Sequence, residues 1–133
     1  MNHMLALAGL IEAANLGTRG VDLFVGTMDA NIASGVMLRG SHAGNDANQD
    51  IPGLFTTTVQ VIVRDKNPAT GYSRATAIAR AIRMREVDVD GLHFFYVLPR
   101  HLPIQYPRDQ GGLIESSINY DICFGDTSNP LGA

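Results

Sequence analysis

The chain has 133 residues, of which 45% are hydrophobic and 17% are charged, and its formal net charge is −3. This length and composition fit one globular domain and exclude a disordered chain, while the acidic balance argues against a large nucleic-acid-binding surface. The single cysteine, Cys123, excludes an intrachain disulfide and a multi-cysteine zinc site.

The first predicted element is a helix that ends near Gly17. Its apolar residues recur at helical spacing: Met4, Leu7, Ala8, Ile11 and Ala14. Leu5 and Leu10 widen this stripe, which is typical of a helix covered on more than one side, either in the core or by a neighbouring subunit. The apolar part is short, lacks a basic start and is interrupted by Glu12, so we expect neither a signal peptide nor a membrane span. We expect a soluble protein that is intracellular while it is being made.

Two short strands follow, with the sequences VDLFVG (21–26) and GVMLRG (35–40). After them comes a polar segment, 40–53, which is rich in Gly, Asn and Asp and has no periodicity. It is long for a connection in a small domain, and long connections are often functional. We therefore interpret it as a solvated or partner-contacting loop.

The same polar segment resembles a calcium loop at first sight, because Asp46, Asn48 and Asp50 fall at loop positions one, three and five. The position that requires Gly holds Ile51, and the position that requires a bidentate Glu holds Thr57. This pattern does not fit an EF-hand loop, so we expect no metal site here.

The second half contains the most regular elements. FTTTVQVIVRD (55–65) predicts a strand with every second residue on one face, and NPATGY (67–72) is interpreted as a turn. SRATAIARAIRMRE (73–86) predicts a helix, LHFFYVL (92–98) a central strand, and IESSINYDICF (114–124) a long strand buried on one face. The fold class predicted is α+β: a single domain, 1–133, with a largely antiparallel sheet covered on one face by two helices.

No residue set has the spacing of a catalytic, cofactor or metal site. The four histidines, His3, His42, His93 and His101, do not fit a zinc or catalytic-triad pattern. Cys123 has no identifiable base, so we interpret it as a structural thiol. The arginines of the second helix region, Arg74, Arg80, Arg83 and Arg85, favour a solvated face or salt bridges over a phosphate site.

Residues 51–124 carry a resemblance to a known family. A strand, IPGLFTTTVQVIVRDKNP, is followed by the helix GYSRATAIARAIR, the proline-bearing loop LPRHLPIQYPRDQGG and the final strand LIESSINYDICF. This arrangement resembles the tail terminator (tail completion) proteins of long-tailed bacteriophages. Within the loop and the last strand, Pro99, Pro107, Asp109, Gly111 and SINYDI match the family pattern in character.

The resemblance implies a structural virion protein without enzymatic activity. Family members form a homo-hexameric ring on the head-proximal end of the tail tube, where the ring stops tube polymerisation and offers a docking surface to the head. The implied partners are other copies of the chain, the tail tube protein and a head-neck connector protein. DNA would pass through the lumen without specific binding, and the protein would lie at the head-tail junction of the virion after assembly in the host cytoplasm.

The proline loop, 99–112, then has a role as a contact element. Pro99, Pro103 and Pro107 fix backbone torsions and lower the entropy lost on ordering against a partner. Polar side chains on the loop can add selectivity: Arg100, His101, Arg108 and Asp109. The polar segment 40–53 supplies a second contact element through Asn45, Asp46, Asn48 and Asp50.

Other functions remain compatible with the residues. The chain could be another neck or head-completion ring protein, or a tail-tube-like subunit. It could also be a small-ligand-binding module or enzyme with a pocket between helices and sheet. A housekeeping dimer that pairs sheet edges is a further alternative, because strand 113–124 is long enough.

Overall fold

The protein was analysed as a computed structural model that describes residues 2–40, 45–47, 50–51, 53–107 and 112–126. Within these ranges the chain forms two helices, α1 (His3–Ala13) and α2 (Pro68–Ile82). The strands, in chain order, are β1 (Leu23–Val25), β2 (Gly35–Gly40), β3 (Asp46–Ala47), β4 (Leu54–Asp65), β5 (Met84–Val89), β6 (Leu92–Pro99), β7 (Ile104–Pro107) and β8 (Ile114–Asp126). Neither of the two helices is both long and apolar enough to cross a membrane.

All the strands join one sheet, in the order β1-β2-β4-β8-β6-β5, with β3 beside β4 and β7 beside β8. The β1–β2 pair is parallel, and every other pair is antiparallel. Both helices pack their apolar residues into one core against a single face of this sheet. The predicted α+β class, with a largely antiparallel sheet covered on one face, is therefore confirmed.

The centre of the sheet is the β4–β8 pair, which runs in continuous register from Leu54↔Gly125 to Asp65↔Ile114. The predicted alternation of β4 is present, because Val59, Val61 and Val63 are buried under the helices. Full burial of such a side chain stabilises the fold by roughly 1.5–3 kcal/mol. The inner face of β8 is also buried, through Ser116, Ile118, Tyr120, Ile122 and Phe124.

Helix α1 begins and ends through side-chain and backbone caps. The Asn2 side chain accepts hydrogen bonds from the backbone N–H groups of Met4 (2.9 Å) and Leu5 (3.3 Å). At the other end Asn15 has a φ of 60°, and the Leu16 N–H donates to the Ile11 carbonyl in a Schellman arrangement. The helix therefore ends at Ala13, before the predicted end near Gly17, because an asparagine in the left-handed conformation terminates it earlier.

Helix α2 begins earlier than the sequence predicted. The interpretation of residues 67–72 as a turn was wrong, because Asn67 caps the helix and Pro68 occupies its first position. The Asn67 side chain accepts hydrogen bonds from the N–H groups of Ala69 (2.9 Å) and Thr70 (3.3 Å). The helix ends at Ile82, so the predicted helical extension to residue 86 was also wrong.

Those last residues instead open β5, a strand that the sequence did not predict. A tight turn joins β5 to β6, with positive φ angles at Asp90 (51°) and Gly91 (80°). An Asp-Gly turn of this type matches the right-handed twist of a hairpin. A bulge interrupts the ladder between Phe94 and Tyr96, opposite Glu86, whose φ is 54°.

Candidate interaction surfaces

The prolines Pro99, Pro103 and Pro107 mark strand ends. Pro99 closes β6, Pro103 immediately precedes β7, and Pro107 closes β7. Proline lacks a backbone N–H and is therefore confined to edge strands and strand ends. The described part of the predicted proline loop, 99–107, is therefore largely extended and paired: after residues 100–103 leave the sheet, the chain pairs with β8 again as β7.

Residues 100–103, which we call the excursion, are bound to β8 by hydrogen bonds and an ion pair. Arg100 donates its backbone N–H to the Asn119 carbonyl (2.9 Å), and its guanidinium lies 2.7 Å from the Asp121 carboxylate. The hydrogen bond from Arg100 to Asp121 raises the pKa of the guanidinium. His101 Nδ1 lies 2.7 Å from the Leu102 carbonyl oxygen, which can only accept, so Nε2 is the acceptor for the Asn119 N–H (3.3 Å). These contacts hold the excursion in one conformation.

Between the prolines lies a row of exposed apolar side chains, which we call the apolar row. Leu102, Ile104 and Tyr106 have exposed fractions of 73%, 55% and 38%. Ile104 pairs with Ser117 and Tyr106 with Glu115, on the helix-free face of the sheet. The sequence prediction missed these residues, although their spacing of two between prolines was the available signal.

Gln105 holds β7 in place, and its side chain points to the opposite face of the sheet from Ile104 and Tyr106. Gln105 donates from Nε2 to the Pro68 carbonyl (2.7 Å) and to the Ser116 hydroxyl (2.9 Å). These bonds tie β7 to the start of α2. Among the described residues β7 pairs only with β8, so its other edge is open to an added strand.

Charged groups beside the apolar row are paired with one another. Arg100 meets Asp121, and on the neighbouring strand Arg64 lies 3.2 Å from the Glu115 carboxylate. A surface whose charges are internally paired has little attraction for phosphates or for strongly charged partners. The arrangement suits an apolar protein partner.

The polar segment lies elsewhere on the sheet. Asn45 and Asp46 are exposed, and Asp46 pairs with Thr56 on the outer side of β4. Asp50 is exposed as well. Because β4 and β8 separate this segment from β6 and β7, the structure does not bring the two predicted contact elements together.

Three of the predicted contact residues, Asn48, Arg108 and Asp109, lie outside the described residues. Of the others in the proline segment, Pro99, His101 and Pro103 are half-buried and Arg100 and Pro107 are exposed. The contact roles assigned to all these residues remain predictions.

The titratable side chains offer little for catalysis. His93 bonds to Glu86 through Nε2 (2.8 Å) and to Asp88 through Nδ1 (2.7 Å), so neither ring nitrogen is left to activate a nucleophile. These carboxylates, Glu86 foremost, raise the pKa of His93. Burial raises the pKa of the Cys123 thiol. Within the described ranges no cluster of three potential metal ligands occurs.

The chain is similar in sequence to one protein family and in fold to a solved virion protein. The family profile described as "Bacteriophage tail terminator protein" matches residues 10–124. Among solved structures the chain is similar to a chain of the "Virion of native gene transfer agent (GTA) particle", with a TM-score of 0.61 and 10% sequence identity over 90% of this chain and 84% of that chain. At this identity the likeness shows a shared fold. No curated protein matches the chain.

Proposed function

Because this chain belongs to the family of bacteriophage tail terminator proteins and is therefore a structural protein of a phage tail, we propose that it ends tail-tube growth. It does so as a homo-hexameric ring seated on the head-proximal end of the tube, at the head-tail junction. The ring also presents the surface on which the head docks, through its connector protein. The family resemblance drawn from the sequence is confirmed; the ring, its stoichiometry and its partners are the proposal.

The apolar row is the observation that carries this proposal. Soluble monomers expose scattered apolar side chains, whereas a contiguous group on a fixed backbone is typical of a protein interface. Here Ile104 and Tyr106 are exposed on β7, which also has an open edge among the described residues, and Leu102 is exposed just before this strand. A tube subunit can therefore add backbone hydrogen bonds along the edge and apolar contacts across the row.

A terminator must bind the last tube ring without continuing the polymer. The prolines at the ends of β7 support this role, because Pro103 and Pro107 limit an added strand to a few residues. The contacts of His101 and Gln105 fix the surface before binding, so less entropy is lost on docking. A short, rigid and apolar contact surface can bind one tube subunit, and it offers no edge on which a further tube subunit can polymerise.

The polar segment, 40–53, serves as a second contact element in this proposal. Its exposed residues Asn45, Asp46 and Asp50 stand on the opposite side of the β4–β8 pair from the apolar row. A subunit between tube and head requires two such separate surfaces. The net charge of −3 supports passage of DNA through the ring without specific binding, because few cations are available to hold phosphates.

The test is the length of tail tubes assembled from purified tube protein with and without this chain. The protein should shorten the tubes and appear at one end by electron microscopy. The variant Leu102→Ser/Ile104→Ser removes apolar contact of about 2 kcal/mol or more, which corresponds to about 30-fold weaker capping.

Leu5→Ser is the matched control, because Leu5 is 45% exposed on α1, away from the apolar row. This variant should cap tubes like the unaltered protein. Tube lengths that do not respond to the protein would contradict the proposed function. Capping that survives loss of the apolar row would show that another surface docks on the tube.

A further inference from the structure

Two strands, β3 and β5, form opposite edges of the same part of the sheet. Among the described residues β3 pairs only with β4, and β5 pairs only with β6. Across this part of the sheet the strands follow the order β3-β4-β8-β6-β5. A strand edge without a partner presents free backbone N–H and C=O groups, to which a strand of a second chain can bind.

The register of the sheet places Asp46 of β3 level with Arg85 of β5. Asp46 lies opposite Thr56 and Thr56 opposite Cys123. Cys123 lies opposite Tyr96, which in turn lies opposite Arg85. Residues paired in this way project from the same face of a sheet, which here is the helix-free face. We call these five residues the charged row, because it begins with a carboxylate at one edge and ends with a guanidinium at the other.

The next level of the sheet has an apolar residue at each edge. Ala47 of β3 lies opposite Phe55, and the pairing continues through Phe124 and Phe94 to Val87 of β5. Phe94 and Phe124 are buried under the helices, so this level projects from the face that carries them. At the two edges Ala47 is exposed and Val87 is 39% exposed. Each edge therefore carries a charged residue on one face and an apolar residue on the other.

A residue in the left-handed conformation makes this arrangement possible on β5. Arg85 and Val87 are two residues apart, so a regular strand would place both on one face. Glu86 lies between them with a φ of 54°, and β6 has a bulge at the same place. This irregularity turns Val87 to the face opposite Arg85.

The charges at the two edges are available to a second molecule. Asp46 and Arg85 are exposed, and neither forms an ion pair with another described residue. The carboxylates that follow Arg85 on β5, Glu86 and Asp88, are both bonded to His93, at 2.8 Å and 2.7 Å. The guanidinium of one copy and the Asp46 carboxylate of another are therefore complementary when the two edges meet.

We propose that β5 of one subunit pairs with β3 of the next subunit in the ring. Arg85 then meets Asp46 on the helix-free face, and Val87 covers Ala47 on the other face. Four antiparallel pairs connect β3 to β5, so both strands run in the same direction and the new pair is parallel. The inference rests on the ring of the proposed function, and it gives Asp46, within the polar segment, a neighbouring subunit as its partner. Two different surfaces on one chain produce a head-to-tail contact, and such contacts close into rings.

Charge reversal tests the contact, because every subunit contributes both edges. Arg85→Glu and Asp46→Lys should each place like charges on the two sides of the contact and weaken ring assembly about tenfold or more. The double variant Arg85→Glu/Asp46→Lys restores opposite charges at every contact and should assemble like the unaltered chain. Arg39→Glu is the matched control, because it reverses an exposed arginine of β2 outside the charged row and should leave rings intact. All these side chains are exposed, so thermal unfolding of each variant should match that of the unaltered chain.

A pair of cysteines tests the register of the contact. Neighbouring strands lie about 4.8 Å apart, which is within the Cα separation that a disulfide bridges. A chain with both Arg85→Cys and Asp46→Cys should therefore form, on oxidation, covalent products that increase stepwise to six subunits. Either substitution alone should give no product larger than a dimer, since the native Cys123 is buried.

Native mass spectrometry and non-reducing gel electrophoresis distinguish the outcomes. Rings of unaltered stability from both single charge variants, with no covalent product above a dimer, would overturn the proposed contact and leave the ring itself standing. A folded double charge variant that fails to assemble would show that Arg85 and Asp46 contact different partners, and it would also overturn the contact. Absence of rings from the unaltered chain, with and without tube ends, would contradict the proposed function as well.

Discussion

Arg64 binds the segment between β1 and β2 to the sheet, and we expect its replacement to lower the free energy of unfolding. The residue is 5% exposed and sits on β4. Its guanidinium donates to the carbonyls of Asp29 (2.9 Å) and Ile32 (3.0 Å) and lies 3.2 Å from the Glu115 carboxylate. One side chain therefore holds residues 26–34 against the end of β4 and β8.

The size of the expected stability loss follows from the groups that Arg64→Met would leave without a partner. The Glu115 side chain, 15% exposed, would lose its cation, and two carbonyls would lose their donor. Removing one partner of a buried ion pair costs about 3–5 kcal/mol. We expect a loss of about 3 kcal/mol, since Glu115 retains some access to water, and a melting temperature lower by about 10 °C.

Urea unfolding followed by circular dichroism measures this loss, with Arg100→Met as the matched control. The Arg100–Asp121 pair has the same chemistry, but its side chains are 48% and 44% exposed. An ion pair this exposed contributes little to stability, because water screens the two charges. Equal losses in the two variants, or a loss below about 1 kcal/mol for Arg64→Met, would refute the reasoning that burial sets the strength of these pairs.

Three further predictions concern single side chains. Tyr120→Phe should raise stability by about 1 kcal/mol in urea unfolding, because the buried Tyr120 hydroxyl has no hydrogen-bond partner among the described residues; a loss of stability would reveal a partner for it. Because Glu86 and Asp88 raise the pKa of His93, its contribution to stability is present below the ordinary histidine pKa of 6.5 and is lost as pH rises through the raised value. Melting temperatures between pH 5 and 9 should therefore fall with pH relative to His93→Gln, and parallel curves would contradict this. Asn67→Ala should cost about 1 kcal/mol through loss of the α2 cap, with Asn67→Asp as a near-neutral control, and equal losses in both would argue against capping.

The sequence predicted those elements whose residues alternate over a long stretch. β4 and β8 were found because apolar side chains recur at every second position, and this pattern is decisive only when one face is buried. β5 was missed because its side chains are largely charged and exposed, so burial imposes no pattern on them. The start of α2 was missed because Asn67-Pro68 is the signature of a turn as well as of a helix cap and first position.

The sequence drew attention to the segment that contains the apolar row but did not identify the exposed side chains of that row. The spacing of the prolines pointed to the segment, yet the exposed side chains between them, Leu102, Ile104 and Tyr106, became visible only with the pairing of β7 to β8. Asn119 and Asp121 bind residues 100–103 because they lie opposite these residues on β8. This register depends on the tertiary structure and cannot be read from the separation of the residues in the sequence.

The proposed ring can be tested through the native mass of the purified protein over a wide range of concentrations, alone and with tail-tube ends as template. We expect a discrete mass of six subunits that appears with concentration or on the tube. A dimer that persists on dilution and is unaffected by tube ends would contradict it.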